Sequence, residues 1–350
     1  MKARRNLLYL LLLICLAGFF LVGGCLQEFL PRELRQKEEP ELIIPGEERQ
    51  EQFNKEREKL PEGVLYLQVY FLEGRGDYLL PVTIALPWTE GVARAALEKL
   101  IEGPTPAQEM RFGLSSPVPP TTEVLGITIR DGLAKLDLSG SFLSYDPGEE
   151  RSVLNSIVFT LLQFPTVKDV QLLVEGIAPE VFPGGTPGKG AFSRERGINP
   201  EVTEDISNFE DIQLVTLYFC TVLGDNHIFY VPVSRVVAGN EDIFKVTIEE
   251  LLKGPRPGGF LFNELPAGTK LLNFTLKEGT LLVNFSRELL NYKGGLSGEK
   301  NILSQVVLTL TEIPGVEQVQ LLIEGKNTIL NYGTSFQEPL LRPLLINPLL

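Results

Sequence analysis

Histidine occurs once in the 350 residues, cysteine three times, methionine twice and tryptophan once. So few soft ligands exclude a His/Cys zinc cage, a histidine-dependent triad in each half, and a disulfide framework. Basic residues are also short, 32 Lys and Arg against 45 Asp and Glu for a net charge of -13. A chain with that balance offers no basic face to neutralise phosphates, and nucleic acid is not an expected partner. What is present is globular: 43% hydrophobic and 22% charged residues, with 33 glycines and 25 prolines that point to many turns. At about 150 residues per domain the length suggests two domains.

The N-terminus reads as a targeting segment. Lys2, Arg4 and Arg5 precede an apolar run at 7–22, which is shorter than the roughly 20 residues of a spanning helix. The run ends in Leu21-Val22-Gly23-Gly24-Cys25, which resembles the lipobox of bacterial lipoprotein signal peptides. That resemblance implies cleavage after 1–24 and a diacylglycerol on Cys25. Residues 25–62 interleave prolines with Glu, Arg and Lys clusters and read as a charged flexible tether. Cys220 lies in the apolar run 214–220 and reads as a small buried hydrophobe in a strand.

The remainder repeats itself. Tyr70-Phe71 recurs as Tyr218-Phe219, Pro81-Val82 as Pro232-Val233, and 152–176 aligns with 301–325 without a gap at 12 identical positions of 25. At a shift of 148 the match continues through Gly185-Thr186, Arg194 and Ile198-Asn199-Pro200, recurring as Gly333-Thr334, Arg342 and Ile346-Asn347-Pro348. A free linker has no reason to repeat at the end of a chain, so the tails are expected to fold, with Ile198 and Ile346 buried and each arginine bonded within its own copy. The expected units are 63–200 and 211–350, joined by a short linker at 201–210.

Periodicity gives each copy the order ββαββαβ. In the first, strands at 65–71 and 79–86 form a hairpin, and a helix starts at an N-cap on Thr89 and stops at Gly103-Pro104. A second hairpin follows around Asp131-Gly132, then a helix through 153–161 and a strand at 170–174. The expected fold class is α+β: two similar domains, each a mixed β-sheet with two helices packed on one face.

These features resemble the GerMN (sporulation and spore germination) domain family. The resemblance rests on the opening Tyr-Phe strand, the leucine-rich helix ending in Gly-Pro, Asp137-Leu138-Ser139 or Asn284-Phe285-Ser286, the terminal Glu-Gly and the Arg…Ile-Asn-Pro tail. It implies a fold akin to the ring-building modules of trans-envelope complexes. It also implies a non-enzymatic lipoprotein, lipid-anchored on the extracytoplasmic face of the membrane and linked to sporulation or germination. The implied partners are membrane lipid through Cys25, other envelope or sporulation-complex proteins, and further copies of the chain.

Candidate sites are few. Asp137, Asp146, Glu149 and Glu150 make a weak case for a two-carboxylate hydrolase, the alternative function together with peptidoglycan binding. The simpler expectation is that Asp137 and Ser139 accept backbone N–H groups before the second helix, while Glu149 and Glu150 favour that helix's N-terminus. The second copy has Asn284 in place of Asp137. His227 reads as a hairpin-loop residue, and Gly184-Gly185 lacks the Lys-Ser/Thr of a P-loop. Arg194, Arg342 and Asp137 remain as partner or structural contacts, with no catalytic residue, no metal and no cofactor expected.

Overall fold

Each copy opens on a long antiparallel hairpin. In the first, β1 (Val64–Leu72) pairs with β2 (Leu79–Pro87) in continuous register, and in the second β7 (Ile212–Leu223) pairs likewise with β8 (His227–Ala238). The computed structural model describes residues 61–349, apart from 62, 76–77, 203–211, 240 and 328. The expected signal peptide, Cys25, nearly all of the 25–62 tether and most of the linker lie outside those residues.

The hairpin is followed by α1 (Val92–Glu102) and, in the second copy, by α4 (Ile243–Lys253). Both bury one apolar face and stop at a glycine with positive φ, Gly103 or Gly254. The start of α1 is not capped by Thr89: its N-cap is Gly91, whose N–H donates to Thr89 Oγ1 at 3.3 Å. In α4 the Asp242 carboxylate accepts from Phe244 and Lys245, a true side-chain cap. The first copy adds a helix that periodicity does not reveal, α2 (Pro106–Phe112). Its signal is chemical, a reciprocal capping box between Thr105 and Gln108 with proline in the first turn.

The mixed sheet of the first copy is β3 (Val124–Arg130), β4 (Leu133–Leu138) and β5 (Asp169–Val174), with β3–β4 antiparallel and β4–β5 parallel. The parallel pair needs a long crossover, and α3 (Glu150–Leu162) provides it. The second copy repeats this with β9 (Leu271–Lys277), β10 (Thr280–Phe285), α5 (Gly295–Leu310) and β11 (Gln318–Ile323). Asp131-Gly132 and Glu278-Gly279 have positive φ at both positions, the turn geometry that matches strand twist. The opening hairpin is a separate ribbon rather than part of this sheet, because no ladder joins them among the described residues. Helix α3 packs on β1, β5 and α1, which is why it is buried almost all round.

The tails are ordered and cross between the copies. Asn199 accepts from Leu79 N at 2.9 Å and donates to the carbonyls of Leu79 at 2.6 Å and Pro232 at 2.7 Å. Asn347 accepts from Tyr230 N and donates to the carbonyls of Tyr230 and Pro81, each at 2.8 Å. Each asparagine thus joins its own hairpin to the other copy's. The preceding isoleucines bond only across: Ile198 to Ser234, and Ile346 to Thr83, through main-chain and hydroxyl groups. Both isoleucines are 1% exposed, as expected; the Ile346 side chain packs with Tyr218, Tyr230 and Leu308 of its own copy, while its main chain bonds across.

The hairpin tips exchange in the same way. The Arg75 guanidinium reaches Thr221 Oγ1 at 3.2 Å and lies 3.5 Å over the Phe260 ring, while the 224–226 turn sits on Arg111 and Phe112. Gly224 is required there, because its φ is positive and a Cβ would stand 2.6 Å from the Arg111 carbonyl oxygen. The linker contributes too: β6 (Glu201–Val202) is a strand on β8, and Leu349 N mirrors it by donating to Thr83 O at 3.1 Å. One apolar core runs through both copies.

Truncating Ile346 to alanine should cost about 2–5 kcal/mol, felt mainly in the second copy, where its side chain packs on Tyr218, Tyr230 and Leu308. Asn199→Ala and Asn347→Ala should each cost about 1–3 kcal/mol by stranding carbonyl and amide groups of both copies. Equilibrium denaturation with probes in each copy checks both outcomes; a loss confined to one copy in the asparagine variants would contradict the exchanged arrangement.

Candidate functional site

A cluster of committed charge lies where the helix C-termini meet the opening strands of the two copies. Glu312 accepts from Arg342 Nη2 at 2.6 Å, from the Tyr218 hydroxyl at 3.1 Å and from Arg194 Nη1 at 3.4 Å. Arg342 also donates to Leu308 O and Thr311 Oγ1, both at 2.8 Å, and to the Tyr218 oxygen at 2.9 Å. Burial alone would raise the Glu312 carboxyl, but the Arg342 and Arg194 guanidiniums outweigh it and hold it below its ordinary value. Arg342 is therefore bonded within its own copy, as the sequence led us to expect. Arg194 divides its bonds, donating to Leu162 O at 3.0 Å in its own copy and to Glu312 in the other. The reason is a substitution: Gln163 occupies the position matching Glu312 and bonds to the Gln68 backbone, so the first copy gives Arg194 no carboxylate.

Beside this cluster a cavity of about 250 Å³ separates the copies. Its walls include Tyr70, Phe159 and Ile198 from the first copy and Leu214, Tyr218 and Ile313 from the second, with Arg194 and Glu312 bringing charge. Burial pushes the Tyr70 phenol up to about 12 and Tyr218 well above its usual value, so neither ionises near neutrality.

A second, duplicated feature lies at the start of the crossover helices. Glu150 accepts from Thr186 N at 2.8 Å, from Gly184 N, and from the Tyr145 hydroxyl at 3.1 Å. Glu299 accepts from Thr334 N at 3.0 Å, from Tyr332 N at 2.5 Å, and from the Tyr292 hydroxyl. Both glutamates are buried, at 3% and 0% exposure. Desolvation opposes their ionisation, but the donors prevail and both carboxyls sit below the ordinary glutamate value. The role expected of Glu150 at a helix N-terminus is thus extended: Glu150 and Glu299 hold the Gly-Thr loops of the tails. The repeat register, continued two residues before 152, aligns Glu150 with Glu299 and is the signal that finds them.

Asp137 does not bond to the turn before the second helix. Its Oδ1 accepts from Gly176 N at 2.8 Å, beyond β5, and Asn284 Oδ1 accepts from Gly325 N at the same distance. One acceptor oxygen suffices, which explains why an amide replaces the carboxylate. Ser139 Oγ accepts from Glu123 N at 2.9 Å, and Asp146 caps the short 3-10 turn before α3 by accepting from Gly148 N. The hydrolase candidates are therefore dispersed into separate structural contacts. His227 begins β8 and packs edge-on against Phe112 across the copies. Cys220 is fully buried, and burial pushes its thiol up.

A further ion cluster eluded sequence reading. Arg235, 4% exposed, donates to Glu201 Oε2 at 2.7 Å, to Glu250 Oε2 at 2.9 Å and to Gly254 O at 3.1 Å. It ties the linker strand β6 to the second copy. The positions matching Arg235 and Glu201 hold Ile84 and Leu349, both packed on the apolar core, so no ionic set forms there. Among the described residues no three His, Cys, Asp or Glu side chains gather as a metal site, and no helix is long and apolar enough to cross a membrane.

A tandem of α+β repeats, clasped by exchanged tails, is the class of protein these observations define. The chain belongs to the Germane family, described as sporulation and spore germination, whose model matches residues 68–180 and 216–328. It is 30% identical over 290 residues to the spore germination protein GerM of Bacillus subtilis strain 168, covering 80% of this chain and 77% of that one. It also matches the solved tandem GerMN domains of the sporulation protein GerM from Bacillus subtilis with a TM-score of 0.72, at 29% identity, over 81% of this chain and 99% of that one.

Glu312→Gln should cost about 1–3 kcal/mol, since it leaves two guanidiniums facing a neutral amide, whereas Arg194→Ala, half-exposed, should cost less than about 1 kcal/mol. Thermal melts of the two variants check the ranking. Because Glu150 and Glu299 have depressed carboxyls, they stabilise the fold fully above the unfolded glutamate value of about 4.3 and lose that contribution as pH falls through their folded values. Glu150→Gln and Glu299→Gln should each flatten the acid limb of a stability profile between about pH 5 and 2. An unchanged acid limb would show that these carboxylates are not held by the tail loops.

Proposed function

We propose that this chain is a membrane-anchored extracytoplasmic lipoprotein that acts as a non-catalytic binding and assembly module in a sporulation-linked process of the cell envelope. In this reading 1–24 is removed, Cys25 carries the lipid, 25–62 is the tether, and 63–200 and 211–350 are two domains joined at 201–210. The sporulation link is supported by the relatives, since the matched curated protein is named for spore germination and the matched structure for sporulation.

The observation that carries the non-catalytic reading is the use made of the buried polar groups. Glu150, Glu299, Glu312, Arg235 and Arg342 are all engaged in holding loops, helices and copies together, and the three glutamate carboxyls are held ionised, which suits none of them to donate a proton near neutrality. Glu264, whose carboxyl is raised by burial, accepts from the Asn301 amide at 3.0 Å. Its environment is a buried amide network with Gln305 and Asn263, a packing arrangement rather than a dyad. Such a module works through its surface, and its partners are membrane lipid and other envelope proteins.

The anchor is tested by labelling. Cys25→Ser should abolish incorporation of labelled palmitate and leave the precursor uncleaved, with the protein lost from the membrane fraction. Normal lipid labelling of that variant would end the lipoprotein reading, and an undiminished yield of germinating spores from a strain lacking the gene would end the sporulation link.

A further inference from the structure

The two copies use matching tyrosines unequally. The Tyr218 hydroxyl donates to Glu312 at 3.1 Å and lies 2.9 Å from Arg342 Nη2, so the second copy holds a closed set of phenol, carboxylate and guanidinium. The repeat register aligns Tyr70, Gln163 and Arg194 with these three. In the first copy the set is broken. The Gln163 amide is committed to the Gln68 backbone at 2.8 and 2.6 Å, and Arg194 reaches Leu162 O and, at 3.4 Å, Glu312 Oε2.

The Tyr70 hydroxyl is left without a hydrogen-bond partner among the described residues, although Tyr70 is only 6% exposed. The fully enclosed side-chain oxygens without a partner are those of Thr122 and Thr334. The Tyr70 hydroxyl is not among them, so it opens on free space, and the space its residue lines is the cavity between the copies. Phe159 packs on its ring at 5.8 Å, and Thr160 Oγ1 accepts from its amide. Burial keeps the phenol protonated and hence a donor. Glu312, Arg194 and Arg342 act on it electrostatically, which places it beside the ion cluster with one guanidinium in excess. Glu195, exposed at the cavity's rim, pairs with neither arginine and does not act on Tyr70. The other hydroxyls of the wall are engaged, Thr216 with Ser234 and Thr247 with Ile243 O.

We propose that this cavity binds a small monocarboxylate with an apolar body, an aryl or branched-alkyl acid, whose carboxylate takes the place that Gln163 leaves empty. The carboxylate accepts from the Tyr70 hydroxyl and from Arg194, whose Nε–H is unused, while the body packs on Phe159, Leu214 and Ile313. The cavity's 250 Å³ exceeds the roughly 150 Å³ that accommodates benzene, leaving room for a ring, a short spacer and a carboxylate. This site goes beyond the assembly reading and does not depend on the anchor.

The test titrates para-fluorohydrocinnamate against the full-length chain in lipid nanodiscs, with empty nanodiscs as the blank, and follows fluorine NMR. The acid should bind at submillimolar concentration, and its primary amide about tenfold or more weakly. Tyr70→Phe removes a hydroxyl that bonds to nothing in the protein, so it should weaken the acid about tenfold with the melting temperature unchanged or raised. Gln163→Glu supplies the missing carboxylate and should exclude the acid. Equal affinity for acid and amide, undiminished affinity in Tyr70→Phe, or full binding by a folded Gln163→Glu would overturn the proposal. So would a lowered melting temperature in Tyr70→Phe, which would show the hydroxyl bonded within the fold. No binding at millimolar acid, the result expected if water alone fills the site, would also overturn it.

Discussion

Two asparagines hold this molecule together. Asn199 and Asn347 each need an acceptor and two donor directions, and each sits at positive φ, a conformation asparagine tolerates and β-branched residues do not. A carboxylate has no N–H to give, and a glycine has no side chain to reach both hairpins. The residue type, the backbone angle and the crossing of the tails are therefore one constraint. Around it the isoleucines, the hairpin tips and the two terminal strand pairings fall into matched places, as in an isologous dimer written on one chain.

The duplicated arrangement also shows where the copies have diverged. At matching positions Glu312 is replaced by Gln163, and Arg235 with Glu201 by Ile84 with Leu349. The first exchange removes only the acid, and Arg194 turns to Glu312 of the other copy; the second replaces Arg235 and Glu201 together, consistent with the high cost of a buried charge left unpaired. Asp137 and Asn284 show the opposite case, in which charge is irrelevant because a single lone pair is used.

Function, in this account, follows from what the interior leaves over. The strong polar groups are spent on tail, loop and copy contacts, and the cavity between the copies is small and largely apolar. The surface features without such an assignment are sheet edges and scattered exposed apolar side chains, among them Trp88 at 64% exposure. That distribution fits a module that recognises other proteins.

Much of this was legible in the chain itself. Period-two and helical spacing located nearly every strand and the long helices, because binary patterning follows directly from which face is buried. The 148-residue recurrence marked the tails as folded and Ile198 and Ile346 as buried, and the family was readable from short motifs in fixed order. Helix α2 was also present in the sequence, but as cap chemistry in a segment too short for periodicity to speak. Which copy each tail would hold was decided only by the tertiary structure, because a repeat has two equivalent hairpins and local sequence cannot distinguish them. The same holds for Arg194: it stands between the same Gly-Thr and Ile-Asn-Pro motifs as Arg342, and only the packing, with Gln163 on one side and Glu312 on the other, sends its guanidinium across the interface.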